Sequence, residues 1–256
     1  MEYRNDLTMA SLFDGIGGFP LAAVRNGIVP VWASEIEPFP IRVTKHHFPD
    51  MLHMGDITRL DGALLPPVDV VCGGSPCQDL SISNSTHLGL AGERSGLFME
   101  QIRIVKEMRA ADERAGGTGQ FIRPRFLVWE NVPFALGCNK GEDFRTILEE
   151  IVRIKVRHAH VPGPHTGRWR PAGQILLGGH FSLAWRCMDA QFWGLAQRRK
   201  RLLLVCDFAG TCAPQILFEP ESLPGHPAQG EGTGQAPAVP AGAGPAAPGG
   251  QHPSAP

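Results

Sequence analysis

Gly73-Gly74-Ser75-Pro76-Cys77-Gln78 places a thiol on a tight, proline-containing turn directly after an apolar run. That run, Val68-Asp69-Val70-Val71-Cys72, is short and β-branched and ends in two glycines, so it reads as a buried strand. Open α/β sheets carry their chemistry at the carboxyl ends of such strands. Proline fixes the backbone ahead of Cys77, and the glycines let a substrate approach closely. Taken alone, Cys77 could equally be a small buried hydrophobe. Its neighbours decide the matter.

Phe13-Asp14-Gly15-Ile16-Gly17-Gly18-Phe19 lies between the first strand and the first helix. Glycines there, Gly15, Gly17 and Gly18 among them, admit a ligand against the backbone, and a helix amino terminus favours negative charge. Glu35 ends the second strand about twenty residues on, the spacing at which a carboxylate accepts hydrogen bonds from ribose hydroxyls. Asp56 ends the third strand, placed to accept from an exocyclic amine. Each carboxylate could singly be a cap or a solvated loop residue. Three such features at consecutive strand ends describe a nucleoside cleft. Neither GxGxxG nor GxxxxGK[ST] occurs, so nothing is built for a pyrophosphate. A ligand with an adenosine end and no phosphates fits, and S-adenosylmethionine is the candidate.

Glu130 follows the apolar strand Phe126–Val128 in Trp129-Glu130-Asn131-Val132-Pro133. A carboxyl emerging from a core strand sits partly desolvated, where it can hold a proton and donate it to a ring nitrogen. Gln197-Arg198-Arg199-Lys200-Arg201 precedes the strand Leu202–Val205, so some of its side chains should turn into a cleft, where arginine forks suit phosphates or a base carbonyl. The alternatives are a helix-terminal charge for Glu130 and gatekeeping charges for the basic cluster.

The elements that must hold these residues alternate. Strands are expected at Thr8–Phe13, Val29–Ser34, Met51–Met54, Val68–Cys72 and Phe126–Trp129. Helices are expected at Phe19–Asn26, Pro38–His47, Ser95–Arg114 and Asp143–Ile154, the third with Leu97, Ile102, Val105 and Met108 on one face. This pattern predicts an α/β fold, a mostly parallel sheet with helices on both faces. After Lys155 it changes to a loop and two further strands, Phe181–Cys187 and Arg201–Cys206. From Pro220 to Pro256, 17 of 37 residues are Gly or Pro and none is aromatic, so this tail is expected to be disordered.

The formal net charge of −1 hides an asymmetry. Residues 151–201 carry ten Lys+Arg against one acid, Asp189, a local +9 that reads as a polyanion-facing surface or as an ordinary solvated basic face. The six cysteines lack a CxxC pair and a metal-ligand rhythm, the start has no signal-peptide core, and no apolar run approaches the roughly 20 residues of a membrane span. A reducing cytoplasm with free thiols is the expectation, with no metal and no membrane.

Read in order, these residues resemble the DNA (cytosine-5)-methyltransferase family across about residues 8–208. Phe13–Phe19, Glu35 and Gly55-Asp56-Ile57 are similar to its three S-adenosylmethionine motifs. Ser75-Pro76-Cys77-Gln78 resembles the nucleophile loop, Arg94–Phe98 the motif after it, Glu130-Asn131-Val132 the catalytic glutamate motif and Gln197–Arg201 the arginine motif. The resemblance implies a Rossmann-like S-adenosylmethionine-dependent methyltransferase domain over residues 1–218. Its catalytic residues would be Cys77, Glu130, Arg199 and Arg201. Phe13, Gly15, Gly17, Gly18, Glu35, Ile36, Asp56, Ile57, Pro76 and Leu97 would hold the cofactor, with Ser75, Gln78, Asn131 and Gln197 at the substrate. Cys77 would add to C6 of a cytosine flipped out of double-stranded DNA, and C5 would then take the methyl group.

In that family a target-recognition region and two late motifs follow the arginine motif. Here Gly/Pro-rich sequence follows Phe218, which leads to an expected truncation, with either a second chain supplying those parts or a catalytically silent fragment. An RNA substrate and the biological role (restriction-modification partner, orphan enzyme or mobile-element function) stay open.

Overall fold

The structure, a computed structural model, describes residues 6–76 and 96–218. Cys77, Gln78, Arg94 and Ser95 and the Gly/Pro-rich tail lie outside the described residues. Eight strands, β1 (Thr8–Leu12), β2 (Val29–Ser34), β3 (Leu52–His53), β4 (Val70–Gly73), β5 (Phe126–Asn131), β6 (Ala172–Leu176), β7 (Ser182–Asp189) and β8 (Lys200–Asp207), join in one sheet. Their spatial order is β3-β2-β1-β4-β5-β8-β7-β6. The first five pair in parallel, β8 is antiparallel to β5, β7 is antiparallel to β8, and β6 is antiparallel to β7. Among these strands only β6 and β8 therefore run against the rest, in keeping with the mostly parallel sheet expected from the alternating elements.

The helices are α1 (Gly18–Arg25), α2 (Pro38–His47), α3 (Gly96–Arg114), α4 (Glu142–Arg153) and α5 (Cys212–Leu217). Period-2 alternation explains how both faces are covered. Met9, Val70 and Cys72 pack with Ala23 of α1, while Val205 and Ala184 pack with Ala213 and Leu217 of α5, and Val128 joins both groups. The intervening residues Ala10, Leu12, Val71, Leu127, Trp129 and Leu204 point the other way, onto α3 and α4.

α3 buries Phe98, Ile102, Val105 and Met108, whereas Leu97, expected on the same stripe, is only partly buried in its first turn. Aromatic rings tie this larger core together. Trp129 meets Phe98 at 5.4 Å, Phe144 meets Trp169 at 5.7 Å, and Trp169 meets Trp185 at 5.6 Å, each contact adding about 0.5–1.5 kcal/mol beyond area burial.

β6 and α5 were not expected from the sequence. β6 has the weak alternation of an exposed edge strand, and α5 is a short helix containing Pro214. β1 is flanked by β2 on one side and β4 on the other, so the order reverses there, and a crevice opens at the carboxyl ends of the strands. Because β8 and β6 run in reverse, their first residues fall at this same carboxyl edge.

Candidate active site

The loop after β4 is held from β5. Trp129 Nε1 donates to Ser75 Oγ at 3.1 Å, and Asn131 Nδ2 donates to the Ser75 carbonyl at 3.0 Å. The Asn131 Oδ1 accepts from the Val132 N–H at 2.8 Å, so both polar ends of this buried amide are engaged within the protein. Ser75 is itself buried. Ser75 and Asn131, both expected at the substrate, fix the loop backbone up to Pro76, which is exposed and immediately precedes Cys77. Gly73 is required by close approach: a β-carbon there would sit 2.5 Å from Oε1 of the wholly buried Gln101, whose Nε2 donates to the Val128 carbonyl.

Glu130 and Arg201 meet at the same edge. Arg201 Nε lies 2.8 Å from Glu130 Oε1, and both side chains are about a third exposed. The antiparallel register sets Asn131 opposite Leu202, so the residue before Leu202 reaches the end of β5. A β-carbon at Gly74 would lie 3.2 Å from Glu130 Oε2, which puts this carboxylate against the start of the cysteine-bearing turn. Arg199 and Gln197 lie in the exposed approach to β8. The Arg199 main-chain N–H donates to Asp189 Oδ1, and neither side chain joins the Glu130–Arg201 pair.

The second half of the crevice forms after β1 to β3. Glu35 Oε2 accepts from the Gly15 N–H at 2.8 Å, while its Oε1 accepts from the N–H groups of Ile36 and Glu37. The Oε2 atom, with a single donor, keeps capacity for a ribose hydroxyl. Asp56 accepts from Thr58 N and Oγ1, both on Oδ1, and these bonds hold its carboxyl below the usual range. Its Oδ2 can accept from an exocyclic amine. Ile57 is buried beneath it, Phe13 is half-buried with φ of 54°, and Ile36 is exposed on the rim.

Gly17, the residue before α1, has φ of 88°, a left-handed conformation natural only to glycine. At Gly15 and Gly18 the space beyond the backbone is open, as a bound adenosine moiety would need. Gly18 begins α1, and Leu97, the second residue of α3, packs partly buried against the main core.

Two participants went unnoticed in the sequence. Asp14 is 6% exposed, accepts from Ser11 Oγ at 2.5 Å, and has its Oδ2 buried without a hydrogen-bond partner. Burial pushes its carboxyl up to about 6, the Ser11 bond opposes this, and Glu35 adds to it. A charged residue inside a glycine turn was the available signal. Arg103 of α3 donates to the carbonyls of Ile57 and Leu60 at 2.9 and 2.8 Å and pairs with Glu107, which accepts from the Gly62 N–H. It thereby clamps the segment after Asp56, a tertiary contact with no local sequence signature.

The model of the C-5 cytosine-specific DNA methylase family matches residues 7–155, more than half of the chain. Among curated proteins, the chain is 32% identical over 241 residues to the DNA N-6-adenine-methyltransferase of Escherichia phage P1, covering 85% of this chain and 31% of that protein. It is 37% identical over 147 residues to the type II methyltransferase M1.ScrFI of Lactococcus lactis subsp. cremoris, covering 57% of this chain and 34% of that protein. The type II methyltransferase M2.BsuMI of Bacillus subtilis is 27% identical over 78% of this chain and 41% of its own length. The chain thus spans about a third to two fifths of these relatives. A solved structure described as a DNA modification methyltransferase encoded within an E. coli prophage superimposes with a TM-score of 0.52 at 22% identity, over 79% of this chain and 47% of that one, and shares the fold. The chain belongs to the C-5 cytosine-specific DNA methylase family.

Proposed function

We propose that residues 1–218 form the cofactor-binding and catalytic domain of a DNA (cytosine-5)-methyltransferase acting on double-stranded DNA in the cytoplasm. The observation that carries this reading is the Glu130–Arg201 pair, set 2.8 Å apart against Gly74 at the start of the Cys77 turn. Bound S-adenosylmethionine would supply an electrophilic methyl group. Glu35 would orient its ribose, Asp56 its amine, and Phe13, Gly15, Gly17, Gly18, Ile36, Ile57, Pro76 and Leu97 would shape the pocket.

C5 of cytosine is a weak nucleophile, which is why a thiol is needed. Cys77 would form a bond from Sγ to C6, leaving an enamine whose C5 would take the methyl as the sulfonium S–CH3 bond breaks and its electron pair stays with the departing neutral thioether. Glu130 would hold N3 and the exocyclic amine while charge develops, and Arg201, with Arg199, would hold O2 and a nearby phosphate. Loss of the C5 proton and breakage of the Sγ–C6 bond restore the ring and the thiol. Gln78, Asn131, Ser75 and Gln197 would support the base and the loop that presents Cys77.

The name of the phage P1 relative favours a second reading, methylation of adenine N6. That amine carries its own lone pair and needs no covalent activation, so the reading leaves Cys77 without work. The match covers only 31% of that protein, so the activity in its name is not placed on the shared segment. The lengths of the relatives also favour a requirement for further sequence, on this chain or a second one, for target recognition.

The test is transfer of labelled methyl to mixed-sequence duplex DNA, with tritium release from cytosine C5 followed in parallel. Transfer with tritium release, both abolished by Cys77→Ser while cofactor binding is kept, supports the cytosine reading. Transfer without tritium release, indifferent to Cys77→Ser, supports adenine. Absence of transfer that is restored by a chain carrying a target-recognition region supports the requirement for further sequence.

A further inference from the structure

We propose that Gln101 of α3 is a positioning residue for methyl transfer, its buried amide setting the root of the Cys77 turn at a fixed spacing from Glu130. This rests on the reading of the chain as a cytosine-5 methyltransferase and deepens it, since Gln101 acts through Gly73 and Val128 and not on a reacting atom.

Gln101 is wholly buried, in a stripe of α3 otherwise made by Phe98, Ile102, Val105 and Met108. Its Nε2 donates to the Val128 carbonyl of β5 at 3.2 Å. The rest of the amide is pressed on β4. A β-carbon at Gly73 would fall 2.5 Å from Oε1, 2.8 Å from Cδ and 2.9 Å from Nε2, so the amide occupies the place that a side chain at 73 would take. One side chain thus spans the ends of two paired strands, where Gly73 lies opposite Trp129.

Those strand ends carry the two halves of the chemistry. Gly73 ends β4 and leads through Gly74, Ser75 and Pro76 to Cys77. Val128 stands two residues before Glu130 on β5, and a β-carbon at Gly74 would lie 3.2 Å from Glu130 Oε2. α3 reaches the turn at a second point as well. Phe98, three residues before Gln101, meets Trp129 at 5.4 Å, and the Trp129 indole donates to Ser75 Oγ. A thiol and a carboxyl that must reach C6 and N3 of one ring together need this spacing held, because a displacement of about 1 Å costs on the order of 10²-fold in rate.

Stability supplies no reason for an amide here. Gln101 Oε1 is buried and has no hydrogen-bond partner among the described residues. A half-satisfied buried amide is worse than an apolar side chain of the same shape, which can be neutral or stabilising in its place. A residue that only filled this space would be apolar like its neighbours on the stripe. The amide adds a directional bond to β5 from a group packed on Gly73.

The test compares wild type, Gln101→Met and Gln101→Glu in the full chain, under conditions where each is folded. Gln101→Met keeps the length and removes the amide. Its denaturant midpoint is expected to equal or exceed that of wild type, while kcat for methyl transfer to duplex DNA falls about 10²-fold with KM for S-adenosylmethionine unchanged. Gln101→Glu can donate to the Val128 carbonyl only when protonated. Its rate relative to wild type should therefore be highest in acid and fall as pH rises, whereas the ratio for Gln101→Met should stay flat. Equal transfer by wild type and Gln101→Met would overturn the assignment and leave the methyltransferase reading standing. A second arm needs no transfer: in a Glu130→Cys background, a short bifunctional maleimide joins positions 77 and 130, and peptide mass spectrometry reads the yield. A yield lowered by Gln101→Met supports the role, and an unchanged yield overturns it. Where the wild type alone transfers no methyl group, this cross-link decides the positioning by itself.

Discussion

Arg201 Nε and Glu130 Oε1 lie 2.8 Å apart because an antiparallel strand enters the sheet beside a parallel one. A parallel β8 would have carried Arg201 to the far edge. The reversal turns two residues distant in sequence into one charged unit beside Gly74. Glu130→Gln keeps the shape and an acceptor for Arg201 but cannot give up a proton. Methyl transfer is expected to fall by roughly 10²–10⁴-fold with S-adenosylmethionine affinity unchanged, read by single-turnover kinetics and equilibrium cofactor binding. A matching loss of cofactor affinity would mean that Glu130 serves the other half of the crevice.

Asp14 makes the stability of the glycine turn between β1 and α1 depend on pH. Burial, with Glu35 nearby, raises its carboxyl from 3.8 to about 6. The folded state therefore holds the proton more tightly than the unfolded chain, and the contribution is present below about 4 and lost as pH rises through about 6. The difference in unfolding free energy between wild type and Asp14→Asn should shift against wild type by at most roughly 3 kcal/mol across that window. Denaturant titrations at several pH values measure it. A pH-independent difference would show that Asp14 does not titrate there.

Much of this was legible in the sequence, for identifiable reasons. β2 and α2 have the boundaries expected, since a β-branched strand and a proline-started helix are local signals. The crevice residues Gly15 and Glu35 announce themselves by type and spacing, and the structure joins them by a 2.8 Å hydrogen bond. Tertiary partnerships were not legible. Asn131 was placed at the substrate by the family resemblance alone, and its hydrogen bond to the Ser75 carbonyl carried no local signature. Nothing in the sequence singled out Gln101 and Arg103, but α3 uses them to brace β5 and the Asp56 loop. β6 escaped because an exposed edge strand carries little hydrophobic pattern.

Two cysteines five residues apart should behave oppositely. Burial raises the Cys72 thiol to about 12, so almost no thiolate forms at neutral pH. Alkylation of the folded protein, mapped by peptide mass spectrometry, is expected to spare Cys72, and loss of transfer should track modification of Cys77. Cys72→Ala should retain transfer. Rapid labelling of Cys72 in the folded protein would contradict its packing beside Val70 and Met9.

The far side of the sheet carries a different dependence on acid. Burial alone would raise the Asp207 carboxyl, but two hydrogen bonds from Arg125 and the N–H groups of Ala209 and Cys212 outweigh it and hold the group below 3.8. This stabilisation is present above the unfolded value and is lost as pH falls through the folded one, opposite in sign to Asp14. Asp207→Ala leaves Arg125 and two N–H groups without their acceptor and is expected to cost about 3 kcal/mol at neutral pH. Urea unfolding of the variant reads this, and the difference from wild type should shrink in strong acid.

The loop backbone up to Pro76 depends on the buried core residue Trp129. Trp129 is wedged between Phe98 and Phe144, and its indole N–H reaches back to Ser75 Oγ. Trp129→Phe preserves an aromatic ring in the core and deletes that donor, leaving the buried Ser75 hydroxyl without its partner. A stability loss of about 1–3 kcal/mol follows from the unsatisfied group and the smaller ring. The larger effect should be on turnover, since a displacement of about 1 Å in a reacting group costs on the order of 10²-fold. KM for S-adenosylmethionine should hold steady, because Glu35 and Asp56 sit on β2 and β3 connections that Trp129 does not touch. A fall in turnover without a change in KM, measured below the unfolding transition of the variant, would mark Trp129 as a positioning residue. A parallel loss of both would reduce it to core packing.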